Sequence, residues 1–346
     1  RTCAGRPAEV DSSVDECGTF DPATGGSYGA AMTIRVGFLG AGAIATYHSK
    51  SLRASGEPVE RSAVFDPDRK RAERFAAASG CVAATSVEDV IAASDAVYVC
   101  TWTSEHEALV RQVTAAGVAV FCEKPLGVDL ASAERMVDQV ERAGVTNQVG
   151  LILRRSPVFG LLKQLGDDPA SGELLTVIFR DDQFLPIQGH YASTWRADAT
   201  KAGAGVLIEH SIHDVDLLEW MYGPIRSVSA STRFVNEIEG IEDCVVAHFQ
   251  FESGLQATLT SVWHDLLQRP SNRHVEVFGS TLWAQLSGEW FGEVRWTQGR
   301  DSAEIHTRSG AEVTAAVDDP AAGENPDGAF IRAVRDGGAA SPSMAD

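Results

Sequence analysis

The chain has 346 residues, with 48 acidic against 29 basic side chains and a formal charge of −19. That length allows two cores. The acidic balance argues against a nucleic acid or an anionic membrane surface as partner. No apolar run approaches the ~20 residues of a membrane span. The cysteines Cys3, Cys17, Cys81, Cys100, Cys122 and Cys244 form no C-x-x-C pair and have no His at finger-like spacing, so no metal site is expected. Reduced thiols and a cytoplasmic location follow as expectations.

Residues 1–31 are rich in Gly, Ser, Ala, Asp and Pro and show no periodicity. They lack the apolar core of a secretory signal and read as a disordered or non-native tail, with Met32 as the natural start. From residue 34 to 150, strand-like and helical patterns alternate. Strands are expected at 34–39, 59–65, 96–100, 118–122 and 146–149. Helices are expected at 43–55, 67–79, 104–116 and 130–143, the third opened by a capping box of Ser104 and Glu107. Such alternation implies a doubly wound parallel sheet covered on both faces.

After Gly150 the pattern changes. Residues 205–222 read as one long helix, and 225–296 as strands of a mostly antiparallel open sheet. The expected fold is α/β: an N-terminal Rossmann domain (32–150) followed by an α+β substrate and oligomerisation domain (151–346). Residues 324–336 read as a helix and 337–346 as a loop with nothing after it. A truncated carboxyl end, unsupported and beside an uncovered apolar patch, is therefore expected.

The chemistry begins at Gly40-Ala41-Gly42-Ala43-Ile44-Ala45. This is G-x-G-x-x-A directly after a strand and opening a helix. Gly40 allows the tight turn, Gly42 admits a pyrophosphate, and Ala45 permits close helix–strand packing. The helix N-terminus, with Ala43 and Ile44 in its first turn, offers free N–H groups to phosphate. Asp66, ending the next strand, suits the two ribose hydroxyls of NAD and repels the extra phosphate of NADP. Arg69 and Lys70 nearby keep NADP as the alternative.

Glu123-Lys124-Pro125 follows a strand of the same sheet, at the end that faces the ligand crevice. Together with the glycine loop, Asp66 and Thr101-Trp102-Thr103-Ser104-Glu105-His106, it resembles the Gfo/Idh/MocA family of glucose–fructose oxidoreductase and inositol 2-dehydrogenase relatives. The family's usual T-P-N-x-x-H has Trp102 for Pro and Thr103 for Asn here. The segment from Glu209 through His213 to Asp216 resembles the family's D-x-x-x-H-x-x-D helix, with Glu for the first Asp. Helical spacing places Glu209, His213, Asp216 and Trp220 on one face, and Ile208, Ile212 and Val215 on the other.

The resemblance implies an NAD(P)-dependent oxidoreductase that interconverts a secondary alcohol and a ketone on a sugar, cyclitol or related polyol. In it His213 is the general base, Glu209 orients or charges the imidazole, and Lys124 holds the reacting oxygen. Gly40, Gly42, Ala43, Ile44, Ala45, Asp66, Thr101, Trp102, His106 and Glu123 would contact the cofactor. Arg154, Tyr191, Trp195, Arg196 and His210 would contact the substrate. The Lys124–Pro125 bond is expected to be cis, and a homodimer or homotetramer is expected through the second sheet. Two other readings stand beside this one. One is a sensor or regulator that binds the dinucleotide without turnover; the other is a glycosidase-like enzyme that retains NAD.

Overall fold

The computed structural model describes residues 32–189, 191–288 and 292–346, and the expectation for residues 1–31 lies outside them. Thr33–Asp346 is one compact unit containing two sheets. The first is built from β1 (Ile34–Leu39), α1 (Ala43–Ala54), β2 (Val59–Phe65), α2 (Arg69–Ser79), β3 (Val82–Ala83), α3 (Val87–Ala92), β4 (Ala96–Val99), α4 (His106–Ala115), β5 (Ala119–Cys122), α5 (Leu130–Ala143) and β6 (Asn147–Val149). Its strand order is β3-β2-β1-β4-β5-β6, with every pair parallel. β4 and β5 are buried at every position, which explains their unbroken apolar sequences. The order reverses between β1 and β4, and the crevice at that point receives the glycine loop and the segment after β5.

The second sheet draws on α6 (Pro157–Asp167), β7 (Leu174–Phe184), α7 (Ala199–Ala202), α8 (Val206–Glu209), α9 (Ile212–Tyr222), β8 (Ile225–Arg233), β9 (Cys244–Phe251), β10 (Gln256–His264), β11 (Asn272–Gly279), β12 (Leu282–Ser287), β13 (Glu293–Gln298), β14 (His306–Ser309), α10 (Ala311–Ala316) and α11 (Pro326–Asp336). Its order is β14-β13-β12-β11-β7-β10-β9-β8, antiparallel except where β10 runs parallel to β7. Inward positions such as Val177, Phe179, Leu259 and Val275 share a core with Leu162 of α6 and Leu217 of α9. Ile178, Val228 and Val246 are exposed. No helix among the described residues is long and apolar enough to cross a membrane.

Three expectations need correction. The capping box at Ser104 and Glu107 does not form. A 3₁₀ turn at Thr103–Glu105 precedes α4, and Glu107 instead pairs with Arg135 of α5. The single helix at 205–222 is two helices, α8 and α9, broken at His210 and Ser211. Tertiary bonds cause the break: Ser211 turns its hydroxyl to Asp181 and Ser261 on neighbouring strands.

The carboxyl end is not unsupported. α11 buries Phe330 and Ile331 in the core formed by β1, β4 and β5. After Gly337, in the left-handed conformation at φ 65°, the chain turns back along β6. There the Val149 amide donates to the Pro342 carbonyl at 3.0 Å, and Met344 is buried. The Ser341–Pro342 bond is cis, which nothing local announces.

Candidate active site

The glycine loop leaves β1 with Gly40 at φ 94°, where a Cβ would lie 2.4 Å from the Cys100 carbonyl oxygen. Only glycine fits such a close approach. Gly42 is the N-cap of α1 and is not strained, with φ −79°. A Cβ built there meets no atom within 4 Å, so the loop is open on the side where a pyrophosphate would lie. No side chain caps α1 and no acid sits in its first turn, which leaves its leading amides for an anion. Ala45 is fully buried against the sheet. These features fit a dinucleotide.

Asp66 is buried and secures the loop. Its carboxylate accepts from the Ala41 amide at 2.9 Å and from the Asp68 amide at 2.8 Å. A carboxylate has about four acceptor positions, so two remain for ribose hydroxyls. Arg71 approaches it at 3.5 Å. Thr101 and Trp102 follow β4 at the crevice. The Trp102 ring lies 4.9 Å from the Lys201 ammonium of α7, so this loop reaches across to the second half of the chain.

Two residues expected at the cofactor face inward instead. His106 is buried, and its Nδ1 donates to the Pro125 carbonyl at 3.0 Å and also lies 3.2 Å from the Leu126 carbonyl. Burial pushes its pKa down, so it braces the turn as a neutral ring. Glu123 accepts from His48 Nε2 at 2.8 Å and from the Lys124 amide at 3.1 Å. Both residues steady the Glu-Lys-Pro turn, whose Lys124–Pro125 bond is cis as expected.

Lys124 lies on a cavity of about 280 Å³ whose walls include Tyr191, Arg196, Glu209, His210 and His213. Glu209 follows Lys124 by 85 residues, yet the Lys124 ammonium donates to the Glu209 carbonyl at 2.6 Å and lies 3.9 Å from its carboxylate. Glu242 sets the position of α8. Its carboxylate accepts from the Gly205 amide at 2.7 Å and the Leu207 amide at 3.0 Å. The Glu209 carboxylate lies 2.8 Å from Arg196 Nε. It therefore restrains Lys124 and Arg196, two of the cations that line the cavity, and among the described residues the expected bond to the His213 imidazole is not made.

His213 presents Nε2 toward the cavity, since its Nδ1 is buried with no partner among the described residues. Burial, together with the charges of Lys124 and Arg273, drives its pKa well below the ordinary histidine value. The lowered pKa favours the neutral ring.

Other expected residues lie elsewhere. Arg154 is held by Asp216 at 2.6 Å and by Asp346 at 3.0 Å and does not line the cavity. Trp195 packs partly into the second core and carries the Arg196 guanidinium 4.7 Å from its ring. Trp220 also joins that core, so the four-residue polar face of the supposed long helix divides at Asp216.

Gln183 of β7 and Arg273 of β11 line the cavity and escaped notice in the sequence. Arg273 is buried between Asp214, at 2.6 Å, and Asp181, at 3.1 Å. Burial, with Asp181 alongside, pushes the Asp214 carboxyl up to about 7 against the pull of Arg273. The signal was available: Arg273, Val275 and Val277 alternate on the inward face of one strand, where a charge is out of pattern.

Comparison with known proteins agrees with this geometry. Residues 34–151 match the model of an oxidoreductase family with an NAD-binding Rossmann fold, and residues 159–285 match the GFO/IDH/MocA C-terminal domain. The inositol 2-dehydrogenase of Rhizobium meliloti (strain 1021) is 30% identical over 239 residues, covering 66% of this chain and 69% of that protein. The inositol 2-dehydrogenase of Cereibacter sphaeroides (strain ATCC 17023) is 34% identical over 55% of this chain, which spans about half, 54%, of that relative's length. A levoglucosan dehydrogenase in complex with NADH and levoglucosan shares the fold, with a TM-score of 0.79 and 20% identity, covering 91% of this chain and 93% of that one.

Proposed function

We propose that this chain, which belongs to the GFO/IDH/MocA oxidoreductase family and is an NAD-dependent oxidoreductase of polyols, interconverts a secondary alcohol and a ketone on a sugar or cyclitol ring. One observation carries the reading. Lys124, Glu209 and His213, from separate segments, meet on one cavity.

In the oxidative direction the alcohol loses its hydroxyl proton and a hydride from the same carbon. Bound NAD supplies the hydride acceptor. His213, kept neutral, takes the proton at Nε2. Lys124, held by the Glu209 carbonyl, steadies the charge that grows on the oxygen. Glu209 holds Lys124 and Arg196 in place beside the substrate.

Residues 32–150 serve the dinucleotide and 151–346 the substrate, with α11 lent back to the first sheet. The free thiols of Cys81, Cys100, Cys122 and Cys244 suit a cytoplasmic enzyme. The exposed Ile178, Val228 and Val246 suit self-association through the second sheet.

The test is NADH formation by the purified chain over a panel of inositols, aldoses and anhydrosugars. Turnover of at least one, abolished by Lys124→Ala, supports the reading. NADH binding without turnover of any compound, in either direction, overturns it.

A further inference from the structure

Glu123 directly precedes Lys124, yet their side chains form no ion pair among the described residues. One Glu123 oxygen, Oε1, accepts from His48 Nε2 at 2.8 Å, and the other, Oε2, accepts from the Lys124 backbone amide at 3.1 Å. The carboxylate also lies against Gly150, where even a Cβ would stand 2.9 Å from Oε1. The Lys124 ammonium reaches instead to the Glu209 carbonyl at 2.6 Å. His48 is fixed in turn. Its Nδ1 donates to Asp327 Oδ1 at 2.7 Å, and its ring is wholly buried beside Tyr98 and Phe121. Asp327 belongs to α11, so one imidazole bonds the last helix to the residue before Lys124.

We propose that His48 and Asp327 are positioning residues for the reaction: they occupy Glu123, so that the neighbouring Lys124 ammonium stays on the substrate oxygen instead of turning onto that carboxylate. The inference rests on the role given to Lys124 above.

Two carboxylates bear on one ammonium. Glu209 lies 3.9 Å from it, and Glu123 stands beside it in the chain. Burial opposes charge on Glu123, but the bond and charge of His48, helped by the charge of Lys124, hold its carboxyl below the usual carboxylate range. A buried carboxylate must be paired. With a charged His48 on Oε1, Glu123 has its partner. Without that cation, the charge left to answer Glu123 is the Lys124 ammonium, on a flexible four-carbon stem. Turning to Glu123 would break its bond to the Glu209 carbonyl and take it off the reacting oxygen. Asp327 acts one step further back. The ring must hold both protons, and burial opposes the second; Asp327 and Glu123 outweigh that burial.

The experiment measures kcat per NADH-binding site on whichever inositol, aldose or anhydrosugar the wild type turns over. It compares the wild type, His48→Gln, and His48→Gln combined with Glu123→Gln. His48→Gln keeps a hydrogen-bonding side chain and loses the charge. Its kcat should fall roughly 10²-fold, as for a misplaced catalytic group, with NADH affinity little changed. Adding Glu123→Gln removes the carboxylate that draws the ammonium and should restore most of the loss. Asp327→Asn, an isosteric change, should behave as His48→Gln does and be rescued in the same way. It takes the place of His48→Gln should that variant not fold.

An unchanged kcat in both single variants overturns the inference. So does a loss that Glu123→Gln fails to restore, which is what a purely structural brace would give, or a loss matched by weaker NADH binding. In those cases the polyol reading stands. A wild type that turns over no polyol removes both.

Discussion

Asp327, on the last helix, accepts a hydrogen bond at 2.7 Å from Nδ1 of His48, on the first helix, across 279 residues of chain. The other ring nitrogen of His48 bonds Glu123, so both nitrogens face carboxylates and the ring carries both protons. The ring is fully buried, 4.9 Å from Phe121 and 5.3 Å from Tyr98 between centroids. Glu123 directly precedes Lys124, so this ion triad underlies the turn that aims the ammonium.

Stability should accordingly depend on pH through His48. Burial opposes its charge, but Asp327 and Glu123 hold its pKa up at about 10. The unfolded ring titrates near 6.5. A raised folded value gives stability that is complete below about 6.5 and is lost as pH climbs toward 10. Urea unfolding of the wild type should show a decline over that alkaline window. His48→Gln, less stable at neutral pH by about 3 kcal/mol, should decline less. Parallel curves for the two proteins would refute the assignment.

The two glycines of the loop should separate folding from binding. Gly40→Ala places a methyl 2.4 Å from a carbonyl oxygen at φ 94° and should destabilise the chain by about 2–4 kcal/mol. Gly42→Ala meets open space at an ordinary φ and should melt like the wild type. It should still bind NADH roughly tenfold more weakly, because its methyl would stand where the glycine loop leaves room for a pyrophosphate. Thermal melts and NADH fluorescence titrations of the pair decide this.

Lys124→Ala and His213→Ala should each lower kcat by roughly 10²–10⁴-fold with NADH affinity little changed. Both act on the substrate oxygen, and neither belongs to the glycine loop. A matching loss of NADH binding would place them in the cofactor site instead.

Asp66→Ser should raise the ratio of NADP to NAD activity, because it removes the carboxylate that repels a 2′-phosphate. Its bond to the Ala41 amide is lost as well, so NAD should also bind more weakly. An unchanged cofactor ratio in steady-state kinetics would show that discrimination lies elsewhere, with Arg71, 3.5 Å from Asp66, a candidate.

Phe330→Ala should cost about 4 kcal/mol, read by chemical denaturation. The ring is fully buried against Tyr98 and Phe121, at 5.7 Å from each.

The first half of the fold was legible because its signals are local. β4 and β5 are apolar throughout and β1 nearly so, the glycine loop sits between strand and helix, and the Glu-Lys-Pro turn falls at a strand end. What escaped has partners far along the chain. Glu123 resembles a cofactor contact until it is seen bonded to His48, whose other nitrogen bonds Asp327. The break between α8 and α9 is made by Asp181 and Ser261, not by a glycine or proline. Some local signals were missed outright. Ser156-Pro157 opens α6 with Pro at its first position. Asp181 and Arg273 mark charges at inward positions of alternating strands.

The return of α11 to the first sheet sets the order in which the molecule can form. A chain made from its amino end completes β1, β4 and β5 early, but the surface around Tyr98 and Phe121 stays bare until Phe330 and Ile331 emerge. Closing so long a loop is slow, and a half-covered sheet is prone to stick to its neighbours meanwhile. Dinucleotide binding should therefore arise late in synthesis, after the second sheet has been made, although the glycine loop is made long before α11.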